Sequence, residues 1–130
     1  MKRRNFIKSI ALLPVGLISA SGQKSEKEIF LFDFYLAGYP YYKAHTLLYK
    51  LKPGDEIILK PEPDNKYDDQ AIEVYTIDKQ KLGYVPAVSN TVPYNLFSNN
   101  IKMKARIKEV KPESDHWERI LIGIYQILEA

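Results

Sequence analysis

The chain has 130 residues, about one domain's worth, and its 45% hydrophobic and 27% charged residues match a globular protein with one packed core. The absence of cysteine excludes disulfide scaffolds, thiolate zinc sites and cysteine nucleophiles. Ten tyrosines against one Trp and five Phe favour surfaces that pair a buried ring with a wet hydroxyl, as binding surfaces do.

Residues 1–22 read as a bacterial export signal and stand outside the fold. Lys2, Arg3, Arg4 and Lys8 precede a weak apolar run from Ile10 to Ile18, and Ala20-Ser21-Gly22 supplies small residues for cleavage. The Arg3-Arg4 pair followed by Phe6-Ile7 and Lys8 looks like a twin-arginine signal, a receptor-read address rather than an anchor. The apolar run is far shorter than the roughly 20 residues a membrane span needs. The expected location is therefore periplasmic or extracellular, and cytoplasmic if the signal does not function. The segment carries four of the 19 Lys and Arg residues and none of the 16 Asp and Glu, so the remainder has a net charge of −1. Attraction to a polyanion must then come from local patterning.

A polar linker over residues 23–27 leads into a domain expected over 28–130. Glu28 to Leu36 is rich in aromatic and β-favouring residues and predicts a first strand. Gly38 and Pro40 break it, and Lys43 to Lys50 then predicts a helix, with Ala44, Leu47, Leu48 and the following Leu51 at helical spacing. Pro53-Gly54-Asp55 predicts a turn, Glu56 to Lys60 a second strand, and Pro61 to Asp69 an ordered loop dominated by Pro and Asx residues. Ala71 to Ile77 and Lys81 to Val85 flank Asp78-Lys79-Gln80 as a hairpin. Ser89 to Ser98 predicts a short helix capped by Asn90 or Thr91, with Pro93 in its first turn. Ile101, Met103, Ala105 and Ile107 alternate with Lys102, Lys104, Arg106 and Lys108 as a half-buried strand. After a polar turn, Arg119 to Leu128 predicts a buried closing strand bent at Gly123. The expected fold is mainly β (α+β): a small six-stranded OB-like or SH3-like β-barrel with two short helices at its ends.

Read together, the loop and the hairpin resemble the HIRAN domain family. The matching stretches are Leu36-Ala37-Gly38 with Tyr41-Tyr42, Leu51-Lys52-Pro53-Gly54-Asp55, Glu62-Pro63-Asp64-Asn65-Lys66-Tyr67-Asp68-Asp69-Gln70-Ala71-Ile72-Glu73-Val74, and Lys81-Leu82-Gly83-Tyr84-Val85-Pro86. The resemblance implies a barrel like the oligonucleotide-binding fold and a module that recognises the free 3′ end of single-stranded DNA. It implies that Tyr41 stacks on a base, that Asp68 accepts the terminal 3′-hydroxyl, and that Asn65 and Tyr67 flank it. Tyr84 stands where a DNA-binding member has histidine and Pro40 where it has arginine, and both departures remove cationic capacity. Tyr42 and Tyr84 complete the candidate ligand-binding set. Helicase and nuclease activities of larger members are not implied for so short a chain.

The same residues also admit plainer roles. Asp64, Asn65 and Asp68 are types that cap backbone amides in proline-bounded loops. Tyr41 and Tyr42 are adjacent, so one turns inward, and Tyr41 is expected to be the exposed one. Lys102, Lys104, Arg106 and Lys108 share one strand face, which could track a phosphate backbone or simply discourage edge pairing. His45 and His116 lack metal-ligand spacing and read as surface residues. No catalytic motif appears, and a hydrolase would need Asp64, Asp68 and Asp69 to gather a divalent ion. The expected function is a non-catalytic nucleic-acid-binding module without cofactor or metal. The alternative is an exported interaction domain whose groove takes a peptide, glycan or partner protein.

Overall fold

The computed structural model describes residues 26–129, so the segment 1–22 expected to be an export signal and most of the expected linker lie outside the described residues. Six antiparallel strands form one sheet: β1 (Glu26–Tyr35), β2 (Glu56–Pro61), β3 (Ile72–Thr76), β4 (Lys81–Tyr84), β5 (Met103–Val110) and β6 (Ile120–Glu129). Their order is β1-β6-β5-β2-β3-β4. Two short helices, α1 (Ala44–Leu47, continued by a 3₁₀ turn over Leu48–Lys50) and α2 (Thr91–Ser98), complete the fold. β1 starts at Glu26, so the last two residues expected in the linker are already strand.

Alternation places one face of each strand in a common core. Phe34 and Leu36, Ile57, Ile72 and Val74, Leu82, Ala105 and Ile107, and Ile120, Ile122 and Ile124 are all buried together with Ala44 and Leu48 of the first helical segment. β-Branched residues dominate this set, as suits side chains stacked on a pleated surface. Among the described residues no helix is long and apolar enough to cross a membrane.

The sheet is not a closed barrel. β2 and β5 pair at only two positions, Glu56 with Arg106 and Ile57 with Ala105. This leaves two three-stranded halves, β1-β6-β5 and β2-β3-β4, sharing one core. The terminal strands β1 and β4 meet only past the end of β1, where Ala37 and Tyr84 exchange two backbone hydrogen bonds of 2.9 and 3.0 Å. Gly83 permits this approach: a Cβ there would lie 2.2 Å from the Ala37 carbonyl oxygen. The ladder stays regular at Gly123, where the sequence suggests a bend. Gly123 pairs in register with Asp33 and Arg106, and the irregularities fall instead between Phe30 and Phe32 and between Ile107 and Glu109. The space above Gly123 is taken by the Lys108 side chain.

Candidate functional site

The loop between β2 and β3 is shaped by two of its own side chains. The Asn65 Oδ1 accepts hydrogen bonds from the backbone N–H groups of Tyr67 (2.8 Å) and Asp68 (3.1 Å), closing an Asx turn. The Asp68 Oδ1 accepts from the Gln70 N–H at 2.9 Å. Across the chain, the Asn90 Nδ2 donates to the Asp68 Oδ2 at 2.8 Å, and Asn90 is only 2% exposed. Asn90 precedes α2 as expected, but its side chain makes no capping bond to the helix and is spent on the loop. A buried amide facing a carboxylate gains more from that charge-assisted bond than from a cap. Each Asp68 oxygen keeps a second lone-pair direction for another donor.

This loop forms one wall of a groove of about 360 Å³ lined by Tyr42, Asn65, Tyr67, Asp68, Tyr84 and Asn90, with Ala37, Ala71, Val85 and Ala87. Five of the six candidate residues from the loop, hairpin and tyrosine pair therefore share one depression. Tyr41 does not line it: at 81% exposure it stands on the crest of the 3₁₀ turn Tyr39–Tyr41, outside the groove. Tyr67, 94% exposed, rises at the rim. Gly38 adopts the left-handed φ of 78° that starts this turn, and the Tyr42 ring packs edge-on to Tyr84 with centroids 5.8 Å apart.

Behind the two tyrosines runs a hydrogen-bonded chain of charged groups. The Lys81 Nζ lies 4.6 Å from the Tyr42 ring centroid and 4.2 Å from that of Tyr84. It donates to the Tyr84 hydroxyl at 2.9 Å and pairs with Glu73 at 3.0 Å. The Tyr84 hydroxyl donates to the Glu62 Oε1 at 2.9 Å, and Glu62 also accepts from the Asn65 Nδ2 at 2.7 Å. Burial alone would lower the Lys81 pKa, but the Tyr84 hydroxyl and the Glu73 carboxylate outweigh it and hold the ammonium above the ordinary lysine value. Burial, with the Glu62 contact, raises the Tyr84 phenol. The Asn65 amide chiefly, then Tyr84, lowers the Glu62 carboxyl. The hydroxyl of Tyr84 is thus committed on both sides, and its ring is what the groove receives.

Lys81, Glu62, Glu73 and Asn90 are site residues that sequence reasoning missed as such. The available signal was Glu73 within the apolar stretch Ala71 to Val74, since a carboxylate at a core-flanking strand position needs a cation nearby. Among the described residues, the hydrogen-bonded framework of the groove joins the carboxylates of Glu62, Asp68 and Glu73 and one ammonium, that of Lys81. The groove therefore suits a neutral hydroxyl donor and a stacked ring better than a phosphate.

The basic stripe on β5 lies away from the groove and is largely neutralised. Lys102 pairs with Glu129, Arg106 with Glu28, and Lys108 with Asp33. Lys104 is the member of the stripe with no ion pair among the described residues. β6, and β1 beyond it, bring the carboxylates within reach along diagonals: Asp33 shares a row with Arg106 through Gly123 but pairs with Lys108. Asp64, Asp68 and Asp69 do not gather: among the described residues no three His, Cys, Asp or Glu side chains come together as a metal site.

Known proteins share this architecture. The family model described as HIRAN domain matches residues 29–129. A crystal structure of a protein from Lactobacillus plantarum superposes with a TM-score of 0.70 at 21% identity, over 79% of this chain and 98% of that one. The crystal structure of the HIRAN domain of human HLTF superposes with a TM-score of 0.61 at 12% identity, over 77% of this chain and 78% of that one. At such identities the likeness is one of fold. None of the curated proteins compared matches the chain.

Proposed function

The chain belongs to the HIRAN domain family, a family of DNA-binding modules, and we propose that its tyrosine-lined groove takes the free 3′ end of a single strand. The observation that carries this reading is the state of Asp68. Its carboxylate is fixed by Gln70 and Asn90, yet it keeps acceptor capacity inside a groove walled by Tyr42, Tyr67 and Tyr84. A terminal deoxyribose 3′-hydroxyl supplies the donor, and the adjacent base supplies a π face for Tyr67 or for the exposed Tyr41. A 3′-phosphate would meet a carboxylate instead of a donor and be rejected.

The test is fluorescence-anisotropy titration of a short labelled strand at low salt, comparing 3′-hydroxyl with 3′-phosphate ends. The wild type is expected to prefer the free hydroxyl. Asp68→Ala should weaken binding about thirtyfold, or ~2 kcal/mol. Asp68→Asn keeps the side chain's shape and should lose chiefly the discrimination between ends. Equal binding of both ends by the wild type would refute end recognition. No binding to any strand would turn the search to another hydroxyl-bearing partner, such as a glycan, or to a peptide. Export by residues 1–22 belongs to the same proposal, and replacing Arg3 and Arg4 by lysine should leave the protein in the cytoplasmic fraction.

A further inference from the structure

A second cavity, of about 420 Å³, opens on the other side of the Tyr39–Tyr41 turn, with Tyr39, Pro40, His45, Glu113, His116 and Arg119 in its lining. Two histidines that look isolated in the sequence are brought together there around one buried ring. The His116 ring centroid is 5.5 Å from that of Tyr39, the His45 ring 6.4 Å, and the Arg119 guanidinium carbon 5.3 Å. Arg119 is held by two bonds, from Nε to the Ser114 carbonyl at 2.7 Å and from Nη1 to the Tyr39 hydroxyl at 3.4 Å. Its Nη2 has no hydrogen-bond partner among the described residues. Tyr39-Pro40-Tyr41-Tyr42 carries no charge of its own; Arg119 is the one Lys or Arg in the lining of either depression, Lys81 being committed to Glu73 and Tyr84 behind the groove.

The two depressions are neighbours in the chain. Tyr39 and Pro40 line the second cavity and Tyr42 lines the groove, with the exposed Tyr41 between them. The His45 Nδ1 lies 2.8 Å from the Tyr42 carbonyl oxygen, which can only accept, so Nδ1 carries the proton and ties the two sides together. The groove framework holds an excess of carboxylates, so the phosphates of a strand ending there must lie outside it. We propose that the second cavity is the phosphodiester subsite of the same strand, which crosses Tyr41 and sets a backbone phosphate against Arg119. This inference rests on the 3′-end reading above. Arg119 is pre-positioned by Tyr39 and Ser114, so its guanidinium loses little freedom when it binds. Glu113, the carboxylate in the lining, opposes an anion and sets the sign of the test.

The experiment titrates the full chain with a short thymidine strand bearing a free 3′-hydroxyl, over a range of salt. Arg119→Gln should weaken binding about tenfold at low salt and reduce the salt slope by about 1. Glu113→Gln should tighten it about threefold, and this gain should fade as salt rises. Both variants should keep the preference for a free 3′ end. If Glu113→Gln leaves affinity unchanged or weakens it while Asp68→Ala still weakens binding, the subsite is refuted and the 3′-end reading stands. Should Arg119→Gln lose its circular-dichroism signature of folding, Glu113→Gln alone decides in the same way. Failure of the wild type to bind any strand overturns both.

Discussion

Asn65 and Asp68 each bond the backbone of their own loop and also face the groove, so structure and recognition are combined in the same side chains. Side chains of this type favour loop-capping geometry, and that part of their role was legible from the residue types alone. Their partners were not, because Glu62 reaches Tyr84, and Asp68 reaches Asn90, across 22 residues of chain. A pH dependence follows from Glu62. Its pKa in the fold lies below the ordinary 4.5, chiefly through Asn65 and then Tyr84. A lowered carboxyl contributes stability that is present above the unfolded value and is lost as pH falls through the folded one. The loop over residues 62–70 should therefore loosen below about pH 4.5, and hydrogen exchange at the Tyr67 and Asp68 amides measured from pH 6 down to pH 3, after correction for intrinsic rates, should show it. Glu62→Gln should remove most of that dependence.

At the scale of elements, the hairpin β3-β4 and the segment after β1 matter most, because their junction sets Tyr84 opposite Tyr42. That junction rests on Gly83. Gly83→Ala would drive a Cβ into the Ala37 carbonyl and break the bridge, so it is expected to cost about 2–3 kcal/mol in urea denaturation and to weaken strand binding as well. A glycine inside a strand pattern signals close backbone approach, but the sequence does not say which backbone approaches. The same limit applies to β5. Its alternation is what suggests a basic face, whereas the neutralisation of Lys102, Arg106 and Lys108 by Glu129, Glu28 and Asp33 depends on how β1 and β6 are set beside it. Helix α2 illustrates a local rule overridden by a distant one, since Asn90 holds the cap position but serves Asp68.

For the whole molecule, a net charge of −1 beyond residue 22 and a stripe mostly consumed by ion pairs argue against binding by bulk electrostatics. Strand binding should then depend weakly on salt, with a slope of log affinity against log salt of magnitude no more than about 2, against about 4 or more for a surface that engages six phosphates of a single strand. Anisotropy titrations at four or five salt concentrations would measure it, and a steep slope would reassign the main contact to a basic surface. The open sheet bears on this too. Its two halves meet along the short β2–β5 pairing and again at Ala37–Tyr84, and the groove sits at the second meeting point.

Sequence alone determined the strand count, the alternating core, the family resemblance and five of the six polar or aromatic residues that line the groove. Those properties are local: side-chain period, turn chemistry and a contiguous motif are written in neighbouring residues. Tertiary structure alone decided that the sheet stays open, that Tyr41 stands outside the groove, that Lys81 lies between two tyrosines, and that His45, His116 and Arg119 share a cavity. Each of these depends on strand register or on contacts between residues far apart in the chain; a one-residue slip in the register of β4, for instance, would send Lys81 to the opposite face.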